Sequence, residues 1–347
     1  MARKTDDVAK AMRDLMPVDQ QRIAEVMERV ESYYIVTHND GEAKREIDVV
    51  VRGATRRTKD GHILLVLGES HMGKSRLVEH YLDIHPSLAP ISIENGNTAH
   101  PVLRLKAPAD CTMAGLGREM AMQLGYRMHR SVSEDLVFQR VRAQLRVQGT
   151  KLVMIDEIQH VVDGPSIKGL RHLTDTLKNL LQEVDWPIHL ILVGLPEARE
   201  LIWRDVKEQA ESRVFPIDLS PLNFIEHAGV VSNLIEEVLE IAGLTSAMPL
   251  TDEFIERLLH GARNRLGLVF KMLHFAIEDA LDNGENEVGI EHWIDAYMRL
   301  AKRGRNVFEA EDWQTIVRGV RTDGTLLQEG EAGETRRGSK TARAAGE

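Results

Sequence analysis

Hydrophobic positions follow two different periods along this chain, and the change from one to the other falls near residue 223. Before it, short and almost wholly apolar runs stand out: Ile63–Leu67, Val102–Leu105, Leu152–Ile155, Ile188–Val193 and Val214–Leu219. Between them lie stretches with helical spacing, near Met113–Leu124 and Glu134–Val147, and over Ile167–Leu181 with Leu170, Leu173, Leu177 and Leu181 on one face. Strands that are apolar on both faces and alternate with helices predict a parallel sheet covered on both sides. Beyond Asn223 only the helical period remains, in Val230–Ile241, Asp252–Leu259, Val269–Leu281 and Glu291–Leu300, which predicts a small helical domain. Upstream, Ile23, Val26, Met27, Val30, Tyr33 and Tyr34 make one buried stripe of a helix over Val18–Tyr34.

The expected fold class is therefore α/β, a five-stranded parallel sheet flanked by helices plus a C-terminal helical lid. The expected boundaries are 1–60 for an N-terminal helical extension, 61–222 for the α/β domain, 223–303 for the lid and 304–347 for an extension. After about Arg321 the chain has little to bury and is expected to be disordered.

The first apolar strand breaks into Gly68-Glu69-Ser70-His71-Met72-Gly73-Lys74-Ser75-Arg76, and Leu77, Val78, Tyr81 and Leu82 then recur at helical spacing. Strand, glycine-bounded loop and helix is the context that makes G-x-x-x-x-G-K-[ST] a phosphate loop. Gly68 and Gly73 let backbone N–H groups turn toward a polyphosphate, and the helix N-terminus adds partial positive charge. Lys74 can reach the β- and γ-phosphates of ATP, and the Ser75 hydroxyl can ligate Mg²⁺.

About 80 residues later, Leu152-Val153-Met154-Ile155 runs into Asp156-Glu157. An aspartate at the C-terminal end of a strand can hold Mg²⁺ through water, and the adjacent Glu157 can polarise the water that attacks the γ-phosphate. Arg213, just before the fifth strand, reads either as an ordinary surface arginine or as one that projects from the domain edge toward a neighbour's nucleotide, where it would stabilise charge on the transferring phosphoryl group. Arg265, heading a lid helix, could contact the phosphates from above, and Arg263 competes for that role.

The chain has a formal charge of −10, which argues against a generally nucleic-acid-coating protein. The sign inverts locally from Arg118 to Lys151, which holds Arg118, Arg127, Arg130, Arg140, Arg142, Arg146 and Lys151 against Glu119, Glu134 and Asp135. A solvated helix face and a DNA-facing surface, centred on Arg140, Arg142 and Arg146, both account for that run. Residues 42–62 are also basic, and a solvated face accounts for them. The single cysteine excludes an intrachain disulfide, and the 14 histidines fall at no metal-ligand spacing, so no metal besides Mg²⁺ is expected. Trp186, Trp203, Trp293 and Trp313 read as core or interface anchors. The polar start, Ala2-Arg3-Lys4-Thr5-Asp6-Asp7, and the lack of an apolar run of membrane length predict a cytoplasmic protein.

Four segments together carry a resemblance: Gly-Glu-Ser-His-Met-Gly-Lys-Ser, Met-Ile-Asp-Glu-Ile-Gln-His, Val-Gly-Leu-Pro-Glu-Ala and Glu-Ser-Arg-Val-Phe-Pro-Ile-Asp-Leu. They are similar to the AAA+ ATPases that assist transposition, the TniB/TnsC type, over roughly residues 20–300. The resemblance implies an ATP-dependent homo-oligomer, ring or filament, on double-stranded DNA. It also implies a transposase and a target-selection protein as partners, a bacterial nucleoid setting, a helical lid and an intersubunit arginine at Arg213. One departure stands out. Such proteins carry a polar γ-phosphate sensor after the fourth strand, where this chain reads Gly194-Leu195-Pro196. Either Glu197 or a backbone group takes that role, or hydrolysis is slow. Two other readings stay open: an initiator or loader ATPase of replication, and a nucleotide-switch signalling NTPase that binds no DNA.

Overall fold

A computed structural model describes residues 2–56, 61–93, 96–109, 111–162, 180–181, 185–199, 214–321 and 323–329. The chain divides into two compact units, Val36–Ser220 and Met1–Ile35 together with Pro221–Glu347. Three helices are described ahead of the first strand: α1 (Ala2–Arg13), α2 (Val18–Ser32) and α3 (Asp40–Ala54). The first two belong to the second unit and α3 to the first.

The unit Val36–Ser220 is built on the parallel sheet. Its strands are β1 (Ile63–Leu67), β4 (Val102–Lys106), β5 (Leu152–Asp156), β6 (His189–Gly194) and β7 (Val214–Asp218), in the spatial order β4-β5-β6-β1-β7. A small antiparallel pair, β2 (Ile91–Ser92) and β3 (Thr98–Ala99), stands outside that sheet. The helices are α4 (Lys74–Ile84), α5 (Met113–Gln123), α6 (Glu134–Val147) and a short α7 (Gln159–Val162).

Strand parity explains the apolar runs. Ile63, Leu65, Leu67, Val153, Ile155, Leu190 and Leu192 face the core shared with α5 and α6. Leu64, Val66, Met154, Ile191 and Val193 face the core shared with α3 and α4. Both sheet faces are covered, so the strand interiors are almost wholly apolar, and polar side chains fall at strand ends or on the edge strand β4. Pro216 sits in β7, the edge strand, where a missing N–H costs no ladder hydrogen bond. Residues 167–179 lie outside the described chain, and only the end of the helix expected there, Leu180 and Leu181, is placed.

Charge masked α3 in the sequence. Ala43, Ile47, Val50 and Val51 are buried on one side of it, while Lys44, Arg45, Arg52 and Arg56 are exposed. Asp40 starts the helix, and its carboxylate accepts from the Tyr81 hydroxyl on α4 at 2.9 Å. Burial first, then that hydrogen bond, pushes the Tyr81 phenol up to about 12.

The second unit contains α8 (Phe224–Ala242), β8 (Thr245–Ser246), α9 (Asp252–Gly261), α10 (Leu266–Asp282), β9 (Glu287–Val288) and α11 (Ile290–Ala301). The Asn223 side chain accepts from Glu226 N at 3.1 Å and Thr251 from Phe254 N at 3.3 Å, so both helices begin at capping residues. Gly243 ends α8 at φ 75°, a left-handed cap suited to glycine. Val26 and Val30 of α2 share this unit's core with Leu234, Met272, Trp293 and Tyr297.

The stretch after α11 is packed. Val307, Phe308, Trp313, Ile316, Leu326 and Leu327 are buried. Arg318, 2% exposed, donates to the Tyr297 hydroxyl at 3.1 Å and to the carbonyls of Arg305 and Leu327 at 3.0 and 3.2 Å. The expectation of disorder beyond Arg321 therefore does not hold for residues 323–329. Residues 330–347 lie outside the described chain. The polar composition of this stretch hid these buried apolar side chains, which are spaced too irregularly to form a helical or strand period.

Candidate nucleotide site

The phosphate loop connects β1 to α4. Gly73 caps α4 at φ 89° and ψ 9°, and His71 has φ 63°, so two positive-φ residues curl the loop. A Cβ added to Gly68 would stand 3.2 Å from the Leu219 Cβ and 3.5 Å from the Lys74 Cδ, so the strand-to-loop turn is open only to glycine without local displacement. The Lys74 ammonium donates to the Glu69 carbonyl at 2.8 Å, which holds it across the loop. Met72 is buried and packs into the sheet core, anchoring the loop from below. Ser75 follows Lys74 in the first turn, and Arg76 is exposed beside it.

Asp156 and Glu157 lie at the end of β5, with β6 between that strand and β1. Asp156 ends the strand: its carbonyl accepts from Ala107 N at 2.9 Å and its Oδ1 from Glu157 N at 2.8 Å. Glu157 has φ 54°, a left-handed conformation uncommon for a non-glycine residue and frequent at functional sites. Its Oε1 lies 3.5 Å from the Lys106 Nζ, and its Oε2 accepts from the Gln159 amide. Glu79, on α4 one turn past Ser75, has its carboxyl raised by partial desolvation and then by the negative charge of Asp156. The phosphate loop, with its lysine and serine hydroxyl, thus stands at the same C-terminal end of the parallel sheet as the acidic pair. That donor set fits a polyphosphate carrying a divalent cation, with Ser75 and Asp156 as its oxygen ligands.

The sensor position has a partner. Leu195 N donates to the Gln159 Oε1 at 3.2 Å, whereas Glu197 is exposed. Arg199, in the helical turn that follows, forms an ion pair with Asp218 at the end of β7. Because β1 runs between β6 and β7, that pair braces the strand end from which the phosphate loop leaves. Lys106, Gln159 and Arg199 were not singled out by sequence. The only signal for Lys106 is its place at the end of β4, and its registry with Asp156 needs the sheet order.

Arg265 belongs to the helical unit, as the N-cap of α10, and Arg263 and Asn264 before it have φ 54° and 57°. Arg213 lies outside the described residues. On α6, whose buried stripe is Val137, Phe138, Val141 and Leu145, Arg140 and Arg146 are exposed and Arg142 is half-buried. Arg140 donates to the Tyr126 hydroxyl at 3.0 Å, and Arg146 stands 3.9 Å from Asp185. Trp293 and Trp313 are buried, Trp186 donates to the Thr150 carbonyl at 2.7 Å, and Trp203 lies outside the described residues. Among the described residues no helix is long and apolar enough to cross a membrane.

The geometry agrees with known folds. The chain is similar in structure to the Cdc6p protein of Pyrobaculum aerophilum, with a TM-score of 0.53 and 13% identity over 78% of this chain and 69% of that one. It is likewise similar to the Aeropyrum pernix ORC2 protein in its ADPNP–ADP complexes, with a TM-score of 0.57 and 16% identity over 78% and 70%. At these identities the likeness shows an AAA+ fold. No curated protein matches the chain. Residues 41–223, just over half of the sequence and all of the phosphate loop and the acidic strand end, match the family described as Bacterial TniB protein. The chain is a member of the TniB family and has the fold of an AAA+ ATPase.

Proposed function

We propose that this protein is an ATP-dependent, DNA-binding regulator of transposition, which assembles on target DNA with ATP and recruits or stimulates a transposase. The family match over residues 41–223 carries that reading. The site supplies its chemistry. Lys74 would exchange its bond to the Glu69 carbonyl for the β- and γ-phosphates, and the loop's backbone donors would hold the rest of the polyphosphate. Mg²⁺, held by Ser75 and Asp156, would neutralise phosphate charge when bound. Glu157 would orient a water and take its proton as the water oxygen bonds to the γ-phosphorus and the bond to the bridging oxygen breaks, releasing ADP and phosphate.

Nucleotide binding, DNA binding and assembly are tested together. Purified protein is sedimented with duplex DNA, with ATP or without it, beside Lys74→Ala. The expected result is a large ATP-dependent complex with the native chain and none with Lys74→Ala, because the main counter-charge to the phosphates is gone. Native protein that binds ATP yet sediments identically with and without DNA would favour the nucleotide-switch reading. ATP affinity unchanged by Lys74→Ala would remove the site itself.

A further inference from the structure

We infer that Gln159 is the positioning residue that couples Glu157 to the loop after β6, in place of a polar side chain at position 195. The inference rests on the hydrolytic reading of Glu157 given above. Gln159 is 7% exposed, so its amide has to find partners within the protein. It has one on each side: Nε2 donates to the Glu157 Oε2, and Oε1 accepts from Leu195 N at 3.2 Å. These partners fix the amide's orientation. Exchanging its oxygen and nitrogen would set an oxygen against a carboxylate and an NH₂ against an N–H.

The surrounding backbone is shaped around this bridge. Ile158 N donates to the Val193 carbonyl at 3.0 Å, which lays the Glu157–Gln159 turn against β6. Gly194 leaves the room: a Cβ there would stand 2.7 Å from the Ile158 Cγ2 and 2.9 Å from the Gln159 Oε1. The Gly194 carbonyl in turn accepts from Gly68 N at 3.3 Å. A continuous path therefore runs from the first residue of the phosphate loop, through Gly194 and Leu195, to the Gln159 amide and the Glu157 carboxylate. The Leu195 side chain cannot hydrogen-bond, but its backbone N–H is part of that path. A displacement of the loop by a bound polyphosphate reaches the carboxylate through the glutamine, without any polar side chain at 195. Gln159 touches the proposed base and not the substrate, so its effect belongs in turnover and not in nucleotide affinity.

The test is a double-mutant cycle with steady-state ATPase kinetics, ATP affinity and melting temperature as readouts. Gln159→Met keeps the length and burial of the side chain and removes both hydrogen bonds. Gln159→Glu keeps the acceptor toward Leu195 and sets a second carboxylate against Glu157. Both are expected to lower kcat by roughly tenfold or more, as misplacing a base does, with ATP affinity within about twofold of the native value. In a Glu157→Gln background, Gln159→Met is expected to cost no further turnover, because residues acting through one group are not additive. Gln159→Glu serves where Gln159→Met fails to fold. Unchanged kcat in the folded variant, a loss confined to KM, or a full additional loss in the Glu157→Gln background overturns the inference while leaving the hydrolytic reading intact. Native protein that binds ATP but does not hydrolyse it overturns both.

Discussion

The amide of Gly68 donates to the carbonyl of Gly194 at 3.3 Å, tying the start of the phosphate loop to the end of the strand that separates it from Asp156 and Glu157. β6 therefore links the two halves of the candidate site. Whatever stands just after Gly194 is coupled to both. In this chain that is a leucine whose backbone N–H is held by Gln159.

Turnover is expected to depend on Glu157 far more than binding does. Glu157→Gln keeps the shape of the side chain but removes its capacity to take a proton. It should bind ATP with native affinity and hydrolyse at least roughly a hundredfold slower, the scale for loss of a general base. Single-turnover hydrolysis and nucleotide titration check the two halves separately. Near-native turnover would move the base to another carboxylate, with Glu79 next to be tested.

On the proposed reading, DNA affinity is expected to respond to α6, where Arg140 and Arg146 are exposed and Arg142 is half-buried. Arg140, Arg142 and Arg146 are spaced along one helix in a chain of net negative charge. Their contacts with Tyr126 and Asp185 are at the surface and can be exchanged for phosphates. Reversing all three to Glu should weaken binding to every duplex alike and flatten the dependence on salt by about one unit of slope for each lost contact. Binding that keeps its strength and slope would place the DNA surface elsewhere.

Sequence patterning resolved whatever rests on period or on a short contiguous motif. The apolar runs gave the five strands because burial on both faces leaves little room for polar side chains within them, Arg104 of the edge strand β4 excepted. The loop from Gly68 to Ser75 was readable because its glycines, lysine and serine are adjacent in the chain. What was not legible depends on who neighbours whom. Lys106 reaches Glu157 only because β4 lies beside β5, and Gln159 reaches Leu195 only because β6 lies on the other side. Residues 42–56 show a charge pattern that draws attention from the buried face of Ala43, Ile47, Val50 and Val51. Arg318 reads as a surface arginine until the carbonyls of Arg305 and Leu327 surround it.

Stability is expected to fall on mild acidification through His189. The side chain opens β6, is 1% exposed, and its Nδ1 accepts from His62 N at 3.2 Å. Burial, then the neighbouring His62 and Lys151, lowers its pKa to about 4. The folded state keeps His189 neutral where the unfolded chain takes up a proton, so this histidine costs stability as pH falls from about 6.5 toward 4. A shift of that size corresponds to about 3 kcal/mol over the window. Urea unfolding at about pH 7, 5.5 and 4.5 should show that slope in the native protein and a flatter one in His189→Gln. Parallel slopes in the two proteins would assign the acid sensitivity to other groups.

Assembly supplies the last expectation. The described part of the site sets Lys74 in the phosphate loop and carboxylates at Asp156, Glu157 and Glu79, with Lys106 already close to Glu157. Phosphoryl transfer builds negative charge on the departing and transferring oxygens, and one loop lysine with a divalent cation leaves part of it unmatched. On the proposed reading Arg213 of a neighbouring copy supplies the rest, so ATP joins subunits and DNA raises their local concentration. Arg213→Ala should then bind ATP as a monomer, fail to form ATP-dependent complexes on DNA, and lose most hydrolysis. Lys74→Ala should fail for the opposite reason, since it offers an intact Arg213 but holds no nucleotide. Mixing the two variants should restore part of the activity, because an interface between them pairs the Arg213→Ala nucleotide site with the arginine of the Lys74→Ala subunit. Sedimentation and ATPase rates are measured on each variant and on the mixture. Arg213→Ala that assembles with ATP and DNA and hydrolyses at the native rate, or a mixture no more active than its parts, rules out a site shared between subunits.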